Sequence, residues 1–267
     1  MKKISIDSIS PKQIASLCDH TFLKRSESYR LDAVMGESPK KLREKDFWSF
    51  LEQTCVDTLS PYAVCVRSED VKRARAFLDQ NGKTTVKVVS VIGFPDGSWI
   101  DTNFKMYEAG YALDAGAEEI DVAMNYKALK GGDHSFVLHE VQQLAQLTHA
   151  KRAVIKLIIE TSELSTQEII QSCRLANHAG VDFVKTSTGY SSCGARSDQI
   201  LVIKENFFGG IKISGGVTLQ NVFAFLAAAS RDNQISIDPT VIRLGESRLL
   251  TKLSGLSKPQ KQASGNK

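Results

Sequence analysis

Eight short apolar segments recur along the chain, and each is rich in Val, Ile or Leu. Runs of this length and composition are typical of strands in a parallel sheet that is covered on both faces. The predicted strands are Cys18 to Leu23, Ala63 to Val66, Thr85 to Ile92, Glu119 to Met124, Ala153 to Ile159, Val181 to Thr186, Ile211 to Ser214 and Val241 to Leu244.

Helical patterns separate these strands, because apolar residues recur there at a spacing of three and four. The apolar stripes are Ile100, Phe104, Tyr107 and Tyr111; Val137, Val141, Leu144 and Ala145; and Val222, Phe225, Leu226 and Ala229. Eight strand-then-helix units predict a single closed (β/α)8 barrel, a fold that takes about 250 residues. An open doubly wound sheet is the alternative, but neither a G-x-G-x-x-G nor a Walker motif supports nucleotide binding.

Two segments depart from this alternation. The charged stretch from Lys24 to Lys45 contains Gly36 and Pro39 and is expected to be an exposed excursion with a helical turn or two, or alternatively a lid. The polar segment 257–267 is expected to be a flexible tail, so the barrel itself should span residues 1–256.

The composition is that of a soluble globular protein, with 42% hydrophobic and 24% charged residues. No apolar run is long enough for a signal peptide or a membrane helix. Five cysteines without a C-x-x-C pair indicate reduced thiols and a cytoplasmic protein, and the histidines show no metal-binding spacing. The net charge of +4, partly carried by the tail, gives no reason to expect nucleic-acid binding.

Two lysines stand inside predicted strands, Lys185 in VDFVKTSTG and Lys212 in GGIKISGGV. An unpaired ammonium in such a place costs several kcal/mol, so it must be paired or lose its proton. If adjacent strands bring the two together, each disfavours the charge on the other, and one becomes a neutral amine that attacks carbonyls.

Further polar residues fall near the carboxyl ends of the strands, where barrel enzymes collect their catalytic groups. They are Asp19, Thr21, Cys65, Asp121, Asn125, Lys156, Glu160, Thr186, Ser187 and Ser214, in addition to the two lysines. Any one of them has a structural explanation, and Cys65 is equally compatible with the core. Several buried charges on consecutive strands favour a functional site.

Six segments in barrel order resemble deoxyribose-phosphate aldolases, which are class I, Schiff-base aldolases with a (β/α)8 fold. The matching segments are DHTFLK from Asp19, AVCV from Ala63, EIDV from Glu119, IKLIIET from Ile155, FVKTSTG from Phe183 and IKISGGV from Ile211.

The resemblance implies reversible cleavage of 2-deoxy-D-ribose 5-phosphate to acetaldehyde and D-glyceraldehyde 3-phosphate, without a metal or organic cofactor. Lys185 would form the Schiff base, Lys212 would be the second lysine that makes this amine easier to deprotonate, and Asp121 would transfer protons. Substrate contacts are expected from Asp19, Thr21, Cys65, Lys156, Thr186, Ser187, Gly189, Ser214, Gly215, Gly216, Gly245, Ser247 and Arg248. Barrels of this family often pair, so a homodimer is one expected assembly.

The chain departs from the family where the phosphate should bind. Thr218 replaces a basic side chain after Gly215-Gly216, and Glu246 follows Gly245. Under one interpretation, backbone amides, Ser247 and Arg248 or Arg196 still hold phosphate, while Glu246 faces solvent or pairs with an arginine. Under another, the pocket accepts a different or unphosphorylated aldehyde, and a third possibility is a non-catalytic relative.

Overall fold

Eight parallel strands close into a barrel in the computed structural model, which describes residues 9–30, 37–56, 59–231 and 234–257. Each strand pairs with its neighbour in sequence, and the first pairs with the eighth. The strands are β1 (Cys18–Thr21), β2 (Ala63–Arg67), β3 (Lys87–Ile92), β4 (Glu119–Ala123), β5 (Val154–Ile158), β6 (Phe183–Lys185), β7 (Gly210–Ser214) and β8 (Ile242–Glu246). The predicted (β/α)8 barrel is confirmed.

Helices alternate with the strands and surround them. They are α1 (Pro11–Ala15), α2 (Pro39–Val56), α3 (Val71–Gln80), α4 (Thr102–Asp114), α5 (Tyr126–Lys130), α6 (His134–Ala150), α7 (Thr166–Ala179), α8 (Ser197–Asn206), α9 (Val222–Ala229) and α10 (Leu249–Ser257). Within the described ranges, none of these helices is long and apolar enough to cross a membrane.

Local sequence signals set the ends of α7. Ser165 accepts a hydrogen bond from the Glu168 amide, and the Glu168 carboxylate accepts one from the Ser165 amide in return. The helix ends at Gly180, whose φ of 73° lies in the left-handed region that glycine adopts without strain.

Alternation along the strands sorts side chains into two sets. On β2, Val64 and Val66 pack with the helices in the main core, while Ala63 and Cys65 belong to a small apolar cluster on the other face. Because successive side chains in a strand point to opposite faces, this second set points into the barrel. A charged side chain that points to the same face of the sheet as Ala63 therefore lies in the barrel interior.

Of the predicted excursion from Lys24 to Lys45, residues 31–36 lie outside the described residues. Residues Ser26–Tyr29 form a 3₁₀ helix, and residues 39–45 are the first two turns of α2. Arg43 is buried and pairs with both oxygens of Asp70. The helical turns expected here are present, and among the described residues of the stretch only Tyr29 and Arg43 are buried. Of the tail predicted at 257–267, Ser257 is the last residue of a helix, and residues 258–267 lie outside the described residues.

The predicted core stripe of α4 is wrong, although the stripes of α6 and α9 are buried as expected. Phe104, Tyr107 and Tyr111 are 58%, 73% and 50% exposed. The helix buries Ala109 and Ala112 instead, together with Lys105, Leu113 and the Lys105–Glu140 ion pair at 2.7 Å. The buried face of α4 thus carries small residues and an ion pair, and its aromatic rings lie on the exposed face.

Candidate active site

Seven charged side chains meet inside the barrel, and all of them are buried. We call this group the charge cluster. Its members are the carboxylates Asp19, Glu119 and Asp121 and the cations Lys156, Lys185, Lys212 and Arg243. They come from β1, β4, β5, β6, β7 and β8, and strand alternation turns each of them inward.

Asp121 lies at the centre of the charge cluster. Its Oδ2 is 2.8 Å from Lys185 Nζ and 2.7 Å from Lys212 Nζ, and its Oδ1 is 3.0 Å from Lys156 Nζ. Strand register brings these residues together, since Asp121 is opposite Lys156 and Lys185 is opposite Lys212. Burial alone raises the pKa of Asp121, but the three lysines outweigh burial and hold that pKa well below its ordinary value.

Arg243 holds the other two carboxylates. Its Nη1 is 2.6 Å from Asp19 Oδ1, its Nη2 is 2.6 Å from Glu119 Oε1, and its guanidinium carbon is 3.4 Å from the ring centroid of Tyr62. Burial raises the pKa of Asp19, but the positive charges of Arg243, Lys212 and Lys156 outweigh burial and lower the pKa to about 2. Asp19 is therefore a carboxylate at neutral pH.

Two of the lysines each have two carboxylate partners. Lys212 Nζ is 2.5 Å from Asp19 and also contacts Asp121, while Lys156 Nζ is 2.5 Å from Glu119 and also contacts Asp121. Burial lowers the pKa of Lys212, but attraction to Asp121 and Asp19 outweighs burial and raises it. The pKa of Lys156 is raised in the same way, by Asp121 and Glu119 against burial. Both lysines stay protonated.

Lys185 differs from the other cations of the charge cluster. It contacts one carboxylate, that of Asp121, and it is the member of the cluster that lines the cavity described next. The cluster holds four cations against three carboxylates when every group is ionised. Lys185 has one carboxylate partner, whereas each of the other three cations has two, so it is the cation of the cluster that the carboxylates hold least.

A cavity of about 690 Å³ lies over the carboxyl ends of the strands. This volume is within the range of small-molecule sites. Nine of the predicted site residues line it: Thr21, Lys185, Gly189, Ser214, Gly215, Gly216, Gly245, Ser247 and Arg248. The structure thus brings the loops after β6, β7 and β8 together around Lys185.

The remaining predicted residues lie behind the cavity wall. Asp19, Asp121, Lys156 and Lys212 form the charge cluster beneath Lys185. Cys65 is fully buried in the apolar cluster inside the barrel, where burial raises the pKa of its thiol.

Hydroxyl groups tie the ends of β6 and β7 together. Thr186 Oγ1 donates to the Ser214 carbonyl at 3.1 Å and accepts from the Ser214 amide at 3.0 Å, and Ser214 Oγ donates to the Ser187 carbonyl at 2.5 Å. Glu160 accepts from the Thr188 amide at 3.0 Å in the next loop. Thr186, Ser187 and Glu160 therefore hold the loops that carry cavity residues.

The side chains of Ser214 and Lys212 lie so close to Gly245 that this position has no room for a side chain. A Cβ atom there would lie 2.8 Å from Ser214 Cβ and 3.2 Å from Lys212 Cε. A side chain at this position would displace the lysine that neighbours Lys185, so the glycine keeps the two ammonium groups on the same carboxylate oxygen.

The expected positions of Glu246 and Arg196 are corrected. Glu246 neither faces solvent nor pairs with an arginine: it is buried, it contacts His20 at 2.7 Å, and it accepts hydrogen bonds from the Leu249 and Leu250 amides. It takes this position because strand alternation turns it outward at the end of β8, toward the start of α10. Arg196 pairs with Asp198 and does not line the cavity.

Part of the site was not found from the sequence. Helix α2 contributes Asp46, Ser49, Phe50 and Gln53 to the cavity wall, and Tyr190 covers another side. The weak amphipathic pattern of α2 gave no signal for this contact. Arg243 and Glu119 were detectable, because Arg243 is a lone charge in a predicted strand and Glu119 alternates in phase with Asp121.

No group of three His, Cys, Asp or Glu side chains is arranged to hold a metal ion in the part of the chain that the structure describes. The chemistry of the charge cluster is that of an amine nucleophile beside a carboxylate and a second ammonium group.

Comparisons with known proteins connect this geometry to a family. Residues 40–234 match the profile of the DeoC/LacD family aldolases. The deoxyribose-phosphate aldolase of Thermococcus gammatolerans is 41% identical over 63% of this chain and 76% of its own length. That of Caldicellulosiruptor saccharolyticus is 36% identical over 84% of this chain and 94% of its own. A solved structure described as QR15, an aldolase, has a TM-score of 0.72 at 28% identity and covers 91% of this chain and 95% of that one.

The barrel fold is thus shared with aldolases, which are carbon–carbon lyases. This chain belongs to the DeoC/LacD family of aldolases.

The lowered pKa of Asp19 predicts how acid affects stability. A group whose pKa is lower in the folded state stabilises that state above its unfolded pKa, near 4, and this contribution disappears as the pH falls toward 2. We expect Asp19→Asn to lower the free energy of unfolding at pH 7. The difference from the wild type should shrink by about 1 kcal/mol between pH 6 and pH 3.

Urea unfolding of both proteins at a series of pH values measures this difference. Asp198→Asn, which removes an exposed carboxylate that is paired with Arg196, is the control and should change stability little. A difference between wild type and Asp19→Asn that stays constant down to pH 3 would contradict the assignment.

Proposed function

We propose that this protein is a class I aldolase that reversibly cleaves 2-deoxy-D-ribose 5-phosphate to acetaldehyde and D-glyceraldehyde 3-phosphate. The observation that carries the proposal is the position of Lys185, which lines the cavity while its Nζ lies 2.8 Å from Asp121 Oδ2, the oxygen that Lys212 also contacts. Family membership supports the same reaction class, and curated relatives carry the name of this activity.

Schiff-base formation comes first in this mechanism. The neutral amine of Lys185 adds to the C1 aldehyde of the open-chain sugar, and loss of water gives an iminium ion. Lys212 remains protonated and shares the Asp121 oxygen with Lys185, so its charge opposes reprotonation of the free amine.

Carbon–carbon cleavage follows. A base removes the proton of the C3 hydroxyl, the C2–C3 bond breaks, and its electron pair moves into the iminium to give an enamine. Glyceraldehyde 3-phosphate leaves with C3 as its aldehyde carbon. Asp121, directly or through a water molecule, takes the C3 hydroxyl proton and returns a proton to C2, and hydrolysis then releases acetaldehyde and Lys185.

Loops at the cavity mouth would hold the rest of the sugar. Thr21 and Ser214 line the cavity with hydroxyl groups, and Gly215 and Gly216 bring backbone close to the substrate. Asp19 acts through Lys212, which it contacts at 2.5 Å, rather than by touching the sugar. Arg248 is exposed at the mouth and supplies positive charge toward the phosphate.

A non-catalytic role is less consistent with the site. A protein that only bound a ligand would gain nothing from four buried cations on three carboxylates, because such pairs cost desolvation energy. Assembly as a homodimer and a cytoplasmic location remain predictions. Sedimentation at several protein concentrations would measure the first, and fractionation of cells would measure the second.

An activity assay tests the proposed function. The wild type should release glyceraldehyde 3-phosphate from 2-deoxy-D-ribose 5-phosphate, and Lys185→Met should lower kcat by more than about 10³-fold, because it removes the charge-cluster amine that lines the cavity. Lys151→Met removes an exposed lysine outside the cavity and serves as the matched control. The proposal fails if the wild type leaves the sugar phosphate intact or Lys185→Met retains turnover.

Lys212 is predicted to set the pH dependence of the reaction. Replacing it by Met removes the positive charge that opposes protonation of the nucleophile. The acid limb of the kcat/KM profile should then move upward by about one pH unit or more. Profiles of the wild type, Lys212→Met and the Lys151→Met control between pH 5 and pH 9 test this, and an acid limb that stays in place would remove Lys212 from this role.

A further inference from the structure

The end of β8 carries a carboxylate where a barrel of this kind would bind an anion. Glu246 is the last residue of β8, and its side chain has no exposed surface. Its Oε2 accepts hydrogen bonds from the amides of Leu249, at 2.5 Å, and Leu250, at 3.2 Å. These are the first amides of α10, so the anion-binding end of this helix is already filled.

His20 fixes this carboxylate in place. The two residues are opposite each other in the register of β1 and β8, and His20 Nδ1 lies 2.7 Å from Glu246 Oε1. The imidazole is buried and stacks on Phe50 of α2, with ring centroids 4.7 Å apart. Glu246 therefore cannot turn away without leaving His20 and two backbone amides unpaired.

The Glu246 carboxylate opposes binding of a phosphate group at the start of α10. The N-terminus of a helix after the last strand is a usual phosphate site in such barrels. Here a phosphate would have to displace the Glu246 carboxylate or lie beside it, and two anions in a partly enclosed cavity repel each other. Both Glu246 and His20 line the cavity, so the obstacle lies within reach of the substrate.

The cations of the cavity mouth compensate only in part. Arg248 and Lys252 line the mouth but are exposed, and Lys24 is paired with Asp46 at 3.0 Å. Charges in contact with solvent are screened by salt and add little binding energy compared with buried amides.

We propose that Glu246 is a specificity-determining residue that keeps phosphate off the N-terminus of α10, so that the enzyme cleaves unphosphorylated 2-deoxy-D-ribose with a kcat/KM within about 100-fold of that for its 5-phosphate. This inference rests on the proposed function, because its first test measures the rate of that cleavage reaction. It makes a sugar without a charged group a second substrate class of the same site.

The test compares the two sugars as a ratio of kcat/KM values. A phosphate held by two or more buried amides would favour the phosphorylated sugar by more than about 100-fold, since each charged hydrogen bond contributes at least tenfold. We expect a wild-type ratio below that value. We expect Glu246→Ser, which frees the amides of Leu249 and Leu250, to raise the ratio by about tenfold or more. Glu246→Gln removes the charge but not the bulk and should raise the ratio by a smaller factor.

Glu168→Gln is the matched control. Glu168 also accepts hydrogen bonds at a helix start, that of α7, but it is only half-buried and lies outside the cavity. Its replacement should leave the ratio unchanged. A wild-type ratio above about 100-fold, or a ratio that neither Glu246 variant raises, would overturn the inference.

Binding of inorganic phosphate separates this inference from the proposed function. If the wild type cleaves neither sugar, the proposed function fails, but calorimetric titration with inorganic phosphate still tests Glu246. Tighter phosphate binding by Glu246→Ser or Glu246→Gln than by the wild type supports the inference, and equal or weaker binding by both overturns it. Circular dichroism shows which variants are folded, and if Glu246→Ser is not, Glu246→Gln and the wild-type ratio decide.

Discussion

Buried charge is the constraint on which the rest of this structure depends. Each ammonium or carboxylate inside a barrel costs several kcal/mol unless a partner of opposite charge compensates it. In the charge cluster, cations and carboxylates alternate: Arg243 pairs with Asp19, Asp19 with Lys212, and Lys212 with Asp121. Lys185 is attached to the cluster through one carboxylate and faces the cavity. The same constraint that pairs the other cations leaves this amine as the one available for chemistry.

Much of the barrel and of its centre could be predicted from the sequence because both depend on local patterns. Apolar runs predict strands, and alternation turns Asp121, Lys156, Lys185 and Lys212 toward a common interior. The wall of the cavity could not be predicted in this way. Helix α2 reaches the site with Phe50 only through its packing against β1, where Phe50 stacks on His20. Contacts between segments this far apart follow from the closed fold and leave no pattern in either segment.

The direction in which some side chains point was the other feature that could not be predicted from the sequence. The aromatic residues of α4 have helical spacing, yet Tyr107 faces solvent because Ala109 and Ala112 make the closer contact with the barrel. At the end of β8, Glu246 was visible as a departure from the family, but its hydrogen bonds to α10 depend on the exact start of that helix.

The most direct measurement of the central claim is chemical trapping. The protein is incubated with 2-deoxy-D-ribose 5-phosphate, reduced with borohydride, digested and mapped by mass spectrometry. The account predicts a substrate-derived adduct on Lys185 and none on Lys212 or Lys156, because those two lysines remain protonated between pairs of carboxylates. An adduct on Lys212, or a Lys185 peptide that stays unmodified while the sugar is cleaved, would contradict it.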